Sequence, residues 1–201
     1  MGCAGIDISV TTAGVSPMET MELMVADEKK ARELILYICE KCVNYQYFGM
    51  TKLNKILFFS DFLTYLRTGK PITCLAYQKL RFGPAPVRML PITEEMKTEA
   101  LLVIQEARVG TKTQHRPVNT RVANLEKFTA DEISIVDEMI EFFSEKSAGE
   151  TSEISHQILA YQIAREGDII PYSAVFITNE PPSDKEFEEM ARLNAEYGWV
   201  N

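Results

Sequence analysis

Residues 51–68 constrain this chain more than any other stretch. Thr51 offers an N-cap hydroxyl, and Leu53, Ile56, Leu57, Phe59, Phe62, Leu63 and Leu66 follow at helical spacing. That stripe is too wide for a helix with one wet side, so much of the helix has to be buried and the rest of the chain has to wrap round it. Gly69-Lys70-Pro71 ends it. The run is not a membrane span: Ile56-Leu57-Phe58-Phe59 is followed at once by Ser60 and Asp61, far short of the ~20 apolar residues a spanning helix needs.

The mantle around it is readable in pieces. Ala31, Leu34, Ile35, Ile38, Cys42 and Val43 predict a first helix that closes near Phe48-Gly49. Ala76 to Phe82 alternates like a half-buried strand until Gly83-Pro84 breaks it, and a short helix follows Pro86. Leu101–Val109 and Thr113–Val122 flank Gly110 and predict a hairpin, the alternative being a helix from Thr93 that runs on to Ala107. His115 then lies in a solvated loop near the hairpin tip. Thr129 and Glu132 form a capping box, with Phe128 placed to staple Ile133, and Val136, Ile140 and Phe143 continue that face. Ser152–Glu166 reads as one or two short helices, and Ser183 with Glu186 opens a C-terminal helix.

The expected fold class is therefore α+β: a mainly helical single domain with a small antiparallel sheet or β-hairpin. A chain of 201 residues that is 46% apolar can bury one core, and no repeat or Gly/Ser/Pro linker divides it. The expected limits are a flexible leader at 1–26, a domain at 27–178 and, at 179–201, a helix packed on that domain. The leader fits neither a secretory signal nor myristoylation, since Ile6 stands where that pattern needs Ser or Thr. Its Ile6, Ile8 and Val10 alternate enough for a short edge strand. Four cysteines in such a chain point to a reducing, cytoplasmic setting rather than a disulfide framework.

Catalytic constellations are missing from the pattern. Cys39 and Cys42 sit at i and i+3, but Cys3, Cys74, His115 and His156 form no recognisable second half of a metal site. Ser155-His156 is the one pair that suggests a hydrolase, and a packed, hydrogen-bonded histidine explains it more simply. No Gly-rich loop cradles a phosphate. No enzyme, metal or cofactor is expected.

Charge is more informative. Lys52, Lys55, Arg67, Lys70, Lys79, Arg81 and Arg88 face only Asp61 between residues 51 and 90, whereas residues 126–201 hold 17 acidic and 5 basic side chains. One reading is two solvated faces that partly neutralise each other. The other is an acidic surface, Asp137, Glu138, Glu141, Glu145, Glu186, Glu188 and Glu189, that attracts a basic protein. The formal net charge of −8 argues against nucleic acid as a partner.

Three ordered runs carry a family resemblance. Thr51-Lys52-Leu53-Asn54-Lys55-Ile56-Leu57-Phe58-Phe59-Ser60-Asp61, then Gly69-Lys70-Pro71-Ile72, then Tyr77-Gln78-Lys79-Leu80-Arg81-Phe82-Gly83-Pro84, resemble the opening half of the Panacea domain. This is the SocA-like antitoxin family, also described as phage-associated GepA-like proteins. The closing half is similar too, in the helix after Phe128-Thr129, the Ser152 to His156 turn, and Ile170-Pro171-Tyr172 with Val175-Phe176. Tyr161 is the nearest aromatic where the family often has Trp, and Ala85-Pro86 replaces a more usual Val-containing stretch. The resemblance implies a bacterial antitoxin that neutralises a protein toxin encoded nearby by direct contact. It also admits an adaptor that delivers the toxin to an ATP-dependent protease; self-association stays open, and a hydrolase or DNA-binding regulator is the less favoured alternative. Candidate partner-binding residues are Tyr77, Lys79, Arg81, Phe82, Gly83 and Pro84 beside the break, with Glu138 and Glu141 on the acidic side. Lys52, Leu53, Lys55, Asp61, Ser155, His156, Pro171 and Tyr172 are the remaining motif residues, for which a structural role is expected.

Overall fold

The computed structural model describes residues 25–177 together with 183, 185, 188, 189, 191, 192 and 195. Helix α1 spans Glu28–Lys41, and its N-cap Asp27 accepts the Lys30 N–H at 2.8 Å. It stops well short of Gly49 because the chain turns back through Cys42 to Phe48, where the Tyr45 N–H reaches the Cys42 carbonyl and the Phe48 N–H that of Tyr45. Gly49 instead becomes the N-cap of α2, Met50–Thr68, which puts Thr51 inside the first turn rather than at the cap. Space explains the choice: a Cβ on residue 49 would lie 2.8 Å from Gln114 Cγ and 3.2 Å from the His115 carbonyl. At the far end Gly69 takes φ +76° and its N–H closes on the Tyr65 carbonyl.

Helix α2 is the axis of the domain. Leu53, Ile56 and Leu57 have no exposed surface, and α1, the helices over Ala130–Phe143 and Ala148–His156, and a 3-10 turn over Tyr172–Phe176 pack around it. Strand β1, Tyr77–Gln78, is only two residues long, so the strand expected through Phe82 ends early. It pairs antiparallel with β2, Ala85–Pro86, on one side and β5, Ile169–Ile170, on the other, with Tyr77 opposite both Pro86 and Ile170. Helix α3 spans Met89–Thr98. Strands β3, Leu102–Val109, and β4, Lys112–Asn119, form the hairpin, turning at Gly110-Thr111, and this excludes the helical alternative for residues up to 107. His115 lies within β4 opposite Glu106, not in a loop.

The strongest local signal holds, since Thr129 and Glu132 make a complete capping box at the start of α4, Ala130–Phe143. A second box, Ser147 with Glu150, opens α5, Ala148–His156, and α6 follows at Leu159–Ile163. The 3-10 turn covers Tyr172–Phe176. The result, among the described residues, is a mainly helical α+β domain with two small antiparallel sheets. Among the described residues no helix is long and apolar enough to cross a membrane. The expected leader, apart from Val25 and Ala26, lies outside the described residues, as do Glu186 of the second predicted capping box and the docking of the C-terminal helix. Of that last stretch Lys185, Glu188, Glu189, Ala191, Arg192 and Ala195 are helical.

Candidate protein-binding site

The site begins with a carboxylate placed deep in the core by α2. Asp61 has no exposed surface; its Oδ1 accepts the Thr73 N–H at 2.8 Å, and its Oδ2 accepts the Thr73 hydroxyl and the Tyr77 hydroxyl, the latter at 2.7 Å. The Tyr172 hydroxyl stands 3.3 Å from the same oxygen and donates to the Leu75 carbonyl at 2.7 Å. Burial pushes the Asp61 carboxyl above its ordinary range while these donors pull it down. Burial, followed by the nearby Asp61 charge, holds the Tyr77 phenol well above its usual value. The network ties α2 to the root of β1 and to the 3-10 turn, and Pro171 precedes that turn as its N-cap residue. Phe58 meets the Tyr77 ring edge-on at 5.4 Å, so the polar knot is sealed by aromatic contact.

Two lysines on the first turns of α2 point the same way. Lys55 is 1% exposed, its ammonium donates to the Pro84 carbonyl at 2.9 Å, and burial alone pushes it down to about 7. Lys52, equally buried, donates to the Ser144 carbonyl at 3.1 Å, and burial is the main cause that lowers it to about 8. In the sequence both belong to the basic segment between residues 51 and 90. They are interior props, and the solvated basic face is smaller by these two charges.

Gly83 closes the arrangement. It adopts φ +94°, and a Cβ there would sit 2.2 Å from Ser155 Oγ and 2.4 Å from Lys55 Cε, so only glycine fits. Ser155 is fully buried and donates to the Ser152 carbonyl at 2.7 Å, while His156 stacks on Tyr161 with centroids 4.7 Å apart and planes 9° from parallel. The two neighbours therefore do different structural work, and their geometry is not that of a nucleophile and its base.

The loop from Lys79 to Pro84 rests on these props. The Lys79 N–H donates to the Asp168 carbonyl at 2.9 Å, and its own carbonyl accepts the Gly167 N–H at 2.8 Å. The Leu80 carbonyl accepts the Gly83 N–H and the Tyr161 hydroxyl, each at 2.8 Å. The Phe82 carbonyl accepts the Ser152 hydroxyl at 3.1 Å, and the Pro84 carbonyl takes Lys55. The Lys79 ammonium is spent inward on the Tyr161 and Ala164 carbonyls, at 2.7 and 2.9 Å, and lies 4.4 Å from the Tyr161 ring centroid. What remains outside is the crest: Leu80, Arg81 and Phe82, the last 65% exposed, with the Arg81 guanidinium 5.5 Å from the Phe82 ring centroid.

Of the six candidates beside the break, the structure places Arg81 and Phe82 on the surface and turns Tyr77, Lys79, Gly83 and Pro84 into the support. Glu138 and Glu141 are exposed on α4, which packs on α1 and α2. Glu138 is already engaged by Arg67 in a bidentate pair at 3.0 and 3.3 Å. Thr73, Ser152 and Tyr161 are the supporting residues that pattern reading did not single out for these roles. Their one sequence signal is the demand of a carboxylate and a broken strand for nearby hydroxyls. An apolar cleft of about 160 Å³ opens between α2, α4 and the 3-10 turn, lined by residues such as Phe59, Phe62, Leu66, Met139 and Val175, and its walls bring no polar side chain that would orient a substrate.

The runs that converge on the loop, residues 53–61, 77–84 and 152–156, all fall within residues 53–158, which match the model of the family described as antitoxin SocA-like, Panacea domain. That stretch is more than half of the chain. The chain belongs to this family. No curated protein and no solved structure matches it. In this Panacea domain the motif is largely an internal one: Lys55, Asp61, Tyr77, Gly83 and Ser155 are buried, and their joint product is the position of three outward side chains. Tyr172 lies beyond the matched stretch and still closes on Asp61. An antitoxin family implies, in general, a toxin as partner and suggests a role without catalysis.

Proposed function

We propose that this Panacea domain neutralises a cognate protein toxin, encoded nearby, by direct contact, without catalysis or cofactor, and that Leu80, Arg81 and Phe82 form the centre of the contact. The observation that carries the reading is the held crest. An aromatic ring and a guanidinium stand in solvent on a backbone whose carbonyls are clamped by Gly167, Tyr161, Ser152 and Lys55. Aromatic and Arg side chains dominate protein interfaces, and a site already ordered before binding loses little conformational entropy on association. The acidic α4, with Glu141 unpaired among the described residues, offers a second surface that steers a basic partner.

The test is co-expression with each adjacent small open reading frame, scored by growth and by recovery of a stoichiometric complex. Rescue with a complex, both lost in Phe82→Ala and Arg81→Ala chains that remain folded, is the expected result. Rescue that survives both substitutions removes the crest from the interface, and the absence of both rescue and complex overturns the reading. Toxin half-life separates neutralisation by binding, which leaves the toxin intact, from delivery to a protease.

A further inference from the structure

Among the described residues the outer edge of β3 in the β3–β4 hairpin is unpaired, and its phase can be worked out. Pro117 has no N–H and lies opposite Ile104, so this is a non-hydrogen-bonded pair. By alternation Ile104, Glu106 and Arg108 direct their N–H and C=O groups away from β4. Among the described residues none of these groups has a backbone partner, and the sheet consists of these two strands alone. Natural edges are blunted by proline, by bulges, by shortness or by charged side chains, and of these β3 carries only the charges, Glu106 and Arg108. Strand β3 is eight residues long, in unbroken register, and free of proline and glycine.

Its charges are self-complementary. Glu106 and Arg108 are both exposed; Arg108 has no ion pair among the described residues, and Glu106 has only His115 Nδ1 at 3.9 Å. Two copies of β3 laid antiparallel about a two-fold axis keep outward groups facing outward groups when the axis passes through Gln105, Glu106 or Ala107. An axis at Glu106 sets that carboxylate against itself. An axis at Gln105 sets Glu106 against Ile104 and Arg108 against Leu102. An axis at Ala107 sets Glu106 against Arg108 of the second copy, twice, in hydrogen-bonded pairs whose Cα atoms lie about 5.5 Å apart.

We infer that β3 is a homodimerisation edge, on which a second copy of this chain pairs antiparallel about Ala107 to build a four-stranded sheet. The two Glu106–Arg108 pairs set the register, and the ladder adds at least four backbone hydrogen bonds. Such a contact is smaller than the roughly 800 Å² per partner of a standard interface, so the dimer is reversible and concentration-dependent.

Sedimentation velocity on the full chain, over a roughly hundredfold concentration range, tests this. The wild type is expected to pass from monomer to dimer. Glu106→Arg and Arg108→Glu, each on its own, set like charges across both pairs and weaken the dimer by about tenfold or more. An equimolar mixture of the two variants restores it, because every pair across the new interface is again opposite in sign. Both positions are exposed, and circular dichroism melting confirms that the variants are folded. A wild type that stays monomeric throughout overturns the inference, leaving the edge to a strand from the leader or from another protein. A dimer indifferent to both substitutions, or a mixture that fails to re-form it, overturns it as well.

Discussion

The two hairpins of this domain are held in opposite ways. The β3–β4 hairpin pairs eight residues a side, yet its turn glycine, Gly110 at φ +60°, has nothing within 4 Å of where a Cβ would stand. The β1–β2 hairpin pairs only two residues a side, and its loop is gripped from beneath by α2, α5 and Tyr161 of α6. Order at a loop tip thus comes from where its backbone groups find partners, not from the length of the strands that feed it. One hairpin is fixed at its tip, whereas the other is fixed only along one side.

The sharpest way to break that contrast is to give both turn glycines a methyl group. Gly83→Ala forces a Cβ into Ser155 and Lys55 at an unfavourable φ and is expected to lower stability by about 3 kcal/mol or more. Gly110→Ala meets only the left-handed backbone penalty of about 1 kcal/mol. Urea unfolding of the pair measures both, and equal losses would show that the two tips are held alike.

The polar knot at the root of β1 comes next. Asp61→Ala leaves the Thr73 and Tyr77 donors unpartnered in the interior and should lower stability by about 2–3 kcal/mol while Leu80–Phe82 lose their support. Amide hydrogen exchange reads the second effect, as faster exchange at Gly83 than in the β3–β4 ladder; unchanged protection at Gly83 would separate the knot from the loop.

A pH-dependent effect, spread over several pH units, follows from Lys55. Its folded value of about 7 lies below the ordinary 10.5, so between these pH values the unfolded chain carries a proton that the native chain lacks. Stability therefore rises with pH across that window, is fully present above 10.5 and is lost as pH falls through about 7. One such group contributes at most about 1.4 kcal/mol per pH unit. Lys55→Met is expected to flatten the slope measured by unfolding at a series of pH values, and an unaltered slope would mean that Lys55 is solvated when charged. Smallest of all is the effect of Phe82→Ala on the fold: with 65% of the residue exposed, stability should change by no more than about 0.5 kcal/mol. A larger loss would make the crest part of the support.

Much of the helical frame was legible because its signals are local. The Thr129–Glu132 box, Gly69 and the α2 stripe each act within a turn or two of their own position. The strand expected through Phe82 failed for the opposite reason. Lys79 still bonds Asp168 and Gly167 and so continues the pairing of β1 with β5, but the Leu80 carbonyl then turns back onto the Gly83 N–H and takes the Tyr161 hydroxyl, some eighty positions away in sequence, and the chain leaves the sheet. Lys52 and Lys55 look like surface residues because lysine usually is one; nothing near them announces that the Ser144 and Pro84 carbonyls wait inside. Gly49 resembles a helix end in the sequence but caps the start of α2, a choice made by β4 pressing on it. Arg81 and Phe82 are legible by residue type as candidates for the proposed contact, whereas the support beneath them depends on Thr73, Ser152, Tyr161 and Tyr172, which converge only in three dimensions.

The clamps beneath the crest grasp carbonyl oxygens, and every amino acid brings the same carbonyl. The grip is therefore indifferent to which side chains stand at positions 80, 81 and 82. Substitution at those three positions alters the outward chemistry and leaves the mount untouched. Under the proposed role, such a domain changes its partner as a socket set changes its bit, through drift at the tip alone, while Lys55, Asp61 and Gly83 stay fixed in the handle.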